Sequence, residues 1–97
     1  MPTYISLGNW TDQGIRDIKG APKRLDSARR MIKDAGGELK AFYMTMGAYD
    51  LVTIIDAPND ETVAKVLLSI GGLGNVRTTT LRAFDEGQTK SIIGSFA

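Results

Sequence analysis

Two segments whose apolar residues recur every three or four positions most constrain the fold of this 97-residue chain. The first covers residues 22–35, where Pro22 suits the first helical turn and Gly36-Gly37 ends the helix. The second begins after Asn59, a suitable N-cap, and ends in a glycine-rich run at residues 71–74. Each segment therefore predicts a helix with one apolar stripe facing a sheet. The stripes are Leu25, Ala28, Ile32 and Ala35 in the first helix, and Val63, Val66, Leu67 and Ile70 in the second.

Four strand-like segments enclose these helices. Side chains that alternate between two faces predict strands over residues 3–8, 38–46, 50–56 and 75–84. The tight connection Met46-Gly47-Ala48-Tyr49 favours an antiparallel hairpin between the second and third strands. Residues 9–20 are expected to form a turn and then an irregular connection.

The predicted order of elements is thus β-α-β-β-α-β. Because each βαβ half is expected to cross over right-handed, the chain is predicted to be an α+β, ferredoxin-like domain. Its four-stranded antiparallel sheet carries both helices on one face, and the domain is expected to span residues 3–86. Residues 87–97 form a C-terminal tail whose Ile92, Ile93 and Phe96 can dock, as a short helix or an arm, on their own subunit or on a partner.

The residue types that the sequence lacks narrow its function. Without cysteine or histidine, the chain has neither the ligands that transition metals prefer nor the commonest general base near neutral pH. We therefore predict no metal and no cofactor. A net charge of +1 argues against a nucleic-acid partner, and no run of about 18 apolar residues exists to cross a membrane. The N-terminus resembles no secretion signal, so a cytoplasmic location is expected.

The sheet face without helices is expected to form a homodimer. The second and third predicted strands carry apolar residues on both sides, so neither has a cleanly polar face. One hundred residues are too few to cover both faces, and two-fold homodimers are the commonest solution. The alternative is a monomer with a mildly apolar exposed sheet.

Several short motifs together resemble the GYD domain family over residues 3–86. They are Gly47-Ala48-Tyr49-Asp50, Ala57-Pro58-Asn59-Asp60, the last strand from Gly74 to Phe84, the turn Thr11-Asp12-Gln13-Gly14, and Phe42-Tyr43. The resemblance implies a ferredoxin-like subunit of a dimeric α/β-barrel, with no established activity. A more distant likeness is to the effector-binding domain of leucine-responsive regulators, whose relatives bind amino acids between subunits. The glycines of the tail after Asp85 depart from the family pattern.

Three candidate ligand-binding residues lie at or beside the hairpin: Tyr43, Tyr49 and Asp50. Asp50 either bonds nearby backbone N–H groups, as turn aspartates do, or places a carboxylate at a pocket between subunits. The two tyrosines either pack at an interface or orient a small ligand through their hydroxyls.

Three further candidates lie in the last strand. A regular strand places Thr78, Thr80 and Arg82 on one face. If Arg82 is buried, it needs an anionic ligand or a carboxylate partner, for which Asp50 and Asp56 are the candidates. The threonines can also be ordinary strand residues.

Seven of the twelve basic residues lie between Arg16 and Lys33. Such a cluster is typical of a solvated helix face, and an anionic partner is the alternative; no aromatic residues are interleaved to stack on bases. Trp10 stands alone in its segment and is interpreted as a lid over the sheet edge or an interface anchor.

These observations leave three functions open. The first is a homodimeric small-molecule-binding domain, a sensor or carrier with its pocket at the helix-free sheet face. The second is a cofactor-independent enzyme of the isomerase, cyclase or oxygenase type, in which tyrosine, aspartate and arginine supply acid, base and oxyanion stabilisation. The third is a structural assembly module. A pocket carboxylate with a raised pKa would favour the enzyme.

Overall fold

A computed structural model describes residues 1–96; Ala97, the last residue of the predicted tail, lies outside the described residues. The predicted β-α-β-β-α-β order is confirmed, with two short additions before the first long helix and a helix at the end. The elements are β1 (Thr3–Trp10), α1 (Asp12–Arg16), a 3-10 turn (Ile18–Gly20), α2 (Ala21–Asp34), β2 (Glu38–Met44), β3 (Leu51–Asp56), α3 (Asp60–Gly72), β4 (Val76–Ala83) and α4 (Glu86–Gly94).

The four strands form one antiparallel sheet in the order β2-β3-β1-β4. The strands that begin the two βαβ halves, β1 and β3, therefore lie side by side at the centre, as in a ferredoxin-like fold. Helices α2 and α3 both pack on the same face of this sheet. The predicted α+β fold class is confirmed.

The core lies between that face and the two long helices. Tyr4 and Ile55 contribute from the central strands, and Ile32 and Val63 from the helices. Leu39 of β2 and Ala57 complete the set of buried apolar residues. The apolar stripes predicted for the helices thus face the sheet, because burying one helix face is what stabilises such short helices.

The connection over residues 9–20 was predicted wrongly. Strand β1 continues to Trp10, and Thr11 then caps α1 by accepting a hydrogen bond from the Gly14 N–H at 3.1 Å. The Thr11 hydroxyl also donates to the Gly74 carbonyl oxygen at 2.5 Å, which ties this turn to the loop before β4. A five-residue helix held by such distant contacts shows no periodicity of its own.

Strand β2 is shorter than predicted and the C-terminal segment is more regular. The strand ends at Met44, and one further cross-strand bond, from the Thr45 N–H to the Asp50 carbonyl oxygen, closes the hairpin turn. The tail forms α4, whose N-terminus has a reciprocal capping box between Asp85 and Gln88. Every described residue from Phe84 onwards is exposed, so α4 docks on no other part of its own subunit.

Candidate ligand-binding cavity and the helix-free sheet face

The pairing of β1 with its neighbours assigns each strand residue to a face of the sheet. Tyr4, Ser6 and Gly8 are buried on the face that carries the helices, while Ile5 and Leu7 point to the other. Residues directly opposite one another in an antiparallel pair share a face. The register therefore extends the helix-covered face through Thr53 and Ile55 of β3 and through Thr78, Thr80 and Arg82 of β4.

A cavity of about 390 Å³ opens on the helix-covered face, between the sheet and α2. Its floor is made of small side chains from three adjacent strands: Ser6, Gly8, Thr53 and Thr78. Because these residues do not reach the helix layer, they leave a hollow beside the packed core. Larger apolar residues form the walls: Leu25, Met31, Ile32, Leu39, Phe42, Leu51, Ile55, Ile70, Leu73 and Val76.

The floor of the cavity holds one buried hydroxyl, that of Ser6, with half-buried threonines beside it. Ser6 is only 3% exposed, and its oxygen accepts a hydrogen bond from the Thr80 hydroxyl at 3.2 Å. Thr53 donates to the Ser6 carbonyl oxygen at 3.5 Å. A hydroxyl both donates and accepts, so Ser6 retains hydrogen-bonding capacity toward a molecule in the cavity. The pocket therefore combines apolar walls with a few placed polar groups, as small-molecule sites do.

Two cationic residues line the cavity: Lys23, whose exposure places it at the mouth, and Arg24, which is half-buried beside it. Arg24 links α2 to the preceding turn: its guanidinium donates to the Asp17 carbonyl oxygen at 2.8 Å and to the Gly14 carbonyl oxygen at 3.1 Å. Lys23 is exposed and takes part in none of the three ion pairs formed within residues 1–96. Trp10 also lines the cavity, on the side of β1.

The hairpin aspartate has a structural task. An Asp50 carboxylate oxygen accepts from the Trp10 N–H at 3.0 Å, and the Asp50 N–H donates to the Gly8 carbonyl oxygen at 2.9 Å. Asp50 thus continues the β1–β3 ladder past the end of β3, through a strand 40 residues away rather than through its own turn. Gly47 has a φ of +113°, a backbone conformation that residues with a side chain rarely adopt. Tyr49 is exposed at this turn.

The three candidates in β4 share a face, as predicted, but it is the helix-covered face. They pair with Gly8, Ser6 and Tyr4, which lie beneath the helices, so they cannot line a pocket on the helix-free side. Only Thr78 lines the cavity directly, and Thr80 supports it through Ser6. Tyr43 lies on the opposite face, 61% exposed. The six predicted site residues are therefore not brought together into one site.

Arg82 is exposed and has no carboxylate partner among residues 1–96. Its guanidinium carbon lies 4.5 Å from the ring centroid of Phe84 and 5.7 Å from that of Tyr4, within cation–π range. It donates to the Thr3 carbonyl oxygen at 3.4 Å and also to the Ala83 carbonyl oxygen. Asp56 instead accepts a hydrogen bond from the Thr3 hydroxyl at 2.8 Å. The predicted pairing of Arg82 with Asp50 or Asp56 is therefore wrong.

Tyr4 of β1 is buried and makes a hydrogen bond to α3. It is 3% exposed, and its hydroxyl donates to an Asp60 carboxylate oxygen in the first turn of α3. Burial, and then the hydrogen bond to Asp60, raise the pKa of Tyr4 from 10.0 to about 12. The group is thus a weaker acid than a free tyrosine and serves as a link between β1 and α3.

The helix-free face is apolar at its centre. Its apolar residues come from all four strands: Ile5, Leu7, Ala41, Tyr43, Val52, Ile54 and Leu81. Glu38, Asp56 and Arg77 stand at its margins. Leu81 is 47% exposed in the single chain.

No helix within residues 1–96 is long and apolar enough to cross a membrane, and these residues contain no group of three or more His, Cys, Asp or Glu placed to hold a metal ion.

Comparison with known proteins identifies the family. The family model described as the GYD domain matches residues 4–93, nearly the whole chain. The chain belongs to the GYD domain family. One relative is the glutamine synthetase and cystathionine beta-lyase binding protein of Thermus thermophilus. It is 34% identical over 84 residues, which cover 86% of this chain and 88% of that protein.

Solved structures support the same fold for this GYD domain. The feast or famine regulatory protein of M. tuberculosis, complexed with L-methionine, superposes with a TM-score of 0.66 at 19% identity. The match covers 88% of this chain and 51% of the regulator, so the chain spans about half of its length. TTHA0845 of Thermus thermophilus superposes with a TM-score of 0.56 at 25% identity, over 88% of this chain and 95% of that one.

Proposed function

We propose that this GYD domain is a small-molecule-binding regulatory module whose ligand occupies the cavity under α2. The observation that carries the proposal is the cavity itself, about 390 Å³ beside the core of a 97-residue domain. Pockets for small molecules measure about 300–1,000 Å³ and combine apolar walls with a few polar groups. The cavity is open to solvent on one side, so a ligand that enters it buries apolar lining surface, which favours binding.

The lining of the cavity favours binding over catalysis. The lining residues supply hydroxyls, one amide and two cations: Ser6, Ser27, Thr53, Thr78, Asn75, Lys23 and Arg24. An isomerase or cyclase needs a group that exchanges protons near neutral pH, such as a carboxylate of raised pKa. The lining residues include no carboxylate, and the tyrosines predicted for the site lie elsewhere.

The helix-free face is proposed to join two copies of the chain. Packed face to face about 10 Å apart, two such sheets bury their apolar centres and form a dimeric α/β-barrel. Each cavity under α2 then faces away from the dimer interface. Tyr43 is placed in the interface by this arrangement, whereas Thr78 stays in the cavity.

Docking on metabolic enzymes is the second proposed activity. The Thermus thermophilus relative is named for binding glutamine synthetase and cystathionine beta-lyase. In this chain, α4 offers an uncovered apolar surface of Ile92 and Ile93, followed by Phe96. A domain that holds a metabolite in one site and an enzyme at another is suited to regulation.

Filling the cavity tests the proposed ligand site. Ala28 of α2 lines the cavity, so Ala28→Phe places a ring in the ligand space; Ala64→Phe makes the same change at an exposed position of α3. We expect the wild type and A64F to bind the uncharged dye N-phenyl-1-naphthylamine, and A28F to bind it at least about tenfold more weakly, since one ring occupies much of a pocket of this class. Equal binding by A28F and A64F contradicts the proposal. Native mass spectrometry of the same samples reports the dimer and any molecule retained from the cell.

A further inference from the structure

The charge of the cavity is one-sided. Among the residues that line it, Lys23 and Arg24 are the ionisable ones, and both are cationic. The first turn of α2, where they lie, contains no acidic residue. An apolar pocket with cations at its mouth produces a positive potential there and attracts anions.

The two cations are not equivalent. The Arg24 guanidinium already bonds two backbone carbonyl oxygens and lies 3.5 Å from a carboxylate oxygen of Asp17, so its charge is engaged in holding α1 against α2. Lys23, in contrast, lies outside every ion pair formed within residues 1–96. Its ammonium carries three donors on a flexible stem and can reach over the mouth.

The inner part of the cavity, unlike its mouth, favours an uncharged, apolar part of a ligand. The walls below the mouth are apolar, with Met31, Phe42 and Leu51 among them, and the floor offers the Ser6 hydroxyl. A charged group placed there would lose its hydration without a counter-charge, which is costly. At the mouth the same group stays partly hydrated and meets Lys23.

We propose that the cavity takes a small apolar molecule carrying a single anionic group, which lies at the mouth against the Lys23 ammonium. This inference rests on the proposed ligand site. The absence of a carboxylate among the lining residues adds a selectivity: an α-amino acid brings an ammonium group that finds no counter-charge there. Apolar carboxylic acids therefore bind better than the amino acids of the same skeleton.

Two dyes of similar aromatic bulk test the role of the charge. 1-Anilinonaphthalene-8-sulfonate is anionic and N-phenyl-1-naphthylamine is neutral; binding of either is followed through quenching of Trp10, the single tryptophan and a lining residue. Lys23→Gln is expected to weaken the anionic dye about fivefold, the size of a partly exposed charge pair, and to leave the neutral dye unchanged. Lys33→Gln removes an equal charge from an exposed position of α2 that does not line the cavity, and it should alter neither dye.

Competition then tests the ligand class. 3-Phenylpropionate should displace the anionic dye from the wild type, and phenylalanine, which differs by its α-ammonium, should not. Equal weakening of the anionic dye by K23Q and K33Q, equal loss of both dyes in K23Q, or equal displacement by the two competitors would overturn the inference while leaving the ligand site intact. If neither dye binds the wild type, or if A28F binds both unchanged, the proposed ligand site itself fails.

Discussion

Replacing Tyr4 by phenylalanine removes one buried hydroxyl and its hydrogen bond to Asp60. The ring of Tyr4 is 3% exposed and stays in place, so the change isolates the polar contact between β1 and α3. A hydrogen bond to a charged group contributes about 1.5–3 kcal/mol, and Asp60 is exposed and regains water when the partner is lost. We therefore expect Y4F to lower the free energy of unfolding by about 1–2 kcal/mol at pH 8.

The same hydroxyl makes stability depend on pH in the alkaline range. The pKa of Tyr4 is about 12 in the folded chain against 10.0 for a free tyrosine. Below pH 10 both states keep the proton, and the stabilisation is complete. Between pH 10 and 12 the unfolded chain binds fewer protons than the folded chain, so stability falls as pH rises. For these two pKa values the loss reaches about 1.4 kcal/mol at pH 11.

Because a phenylalanine side chain cannot ionise, the Y4F variant lacks this loss. The stability advantage of the wild type at pH 8 should therefore nearly vanish at pH 11. Urea unfolding at matched protein concentration, at pH 8 and pH 11, measures the difference, and every group that the two proteins share cancels in it. Tyr49→Phe, at an exposed position of the hairpin turn, is the control and should change stability by less than about 0.5 kcal/mol at either pH. A difference between wild type and Y4F that stays constant with pH would refute the reasoning.

Three further predictions concern the dimer, the α1 contact and the tail. Leu81→Asp places a charge among the apolar residues of the helix-free face, opposite Ile5, and should yield monomers in analytical ultracentrifugation, whereas Leu68→Asp, at a leucine 77% exposed on α3, should leave dimers; dimers of both would argue against the interface. Gly14→Ala places a methyl carbon where it overlaps the carbonyl oxygen of the residue before β4, and should lower the melting temperature by about 10 °C or more, whereas Gly71→Ala meets no atom within 4 Å and should be neutral or stabilising by up to about 1 kcal/mol. Asp85→Ala removes the capping box and should speed hydrogen exchange in α4 while leaving the global melting temperature unchanged, because α4 is exposed; a lower melting temperature would show that α4 packs on the folded domain.

Only those features of the candidate site that depend on neighbouring residues could be predicted from the sequence. The alternation of side chains correctly placed Thr78, Thr80 and Arg82 on one face, and the tight connection at residues 46–49 correctly predicted the antiparallel hairpin. The sequence could not predict which face of the sheet carries these three residues. That depends on which residues of β1 they pair with, and the pairing is fixed only by the folded sheet. For Asp50 the sequence left open a structural role at the turn and a role at a ligand pocket. Its hydrogen bond from the Trp10 N–H, which only the folded chain reveals, is a structural contact.

By itself, the sequence determined the order and type of the main elements and the family. Helical stripes, glycine stops and strand alternation are signals carried by neighbouring residues, and they survive without tertiary context. Only the tertiary structure decided where a ligand can bind. The cavity exists because Ser6, Gly8, Thr53 and Thr78, from three strands far apart in the chain, come together under α2 as side chains too small to fill the layer. No pattern among neighbouring residues predicts that these distant residues meet, because each of them alone is an ordinary strand residue.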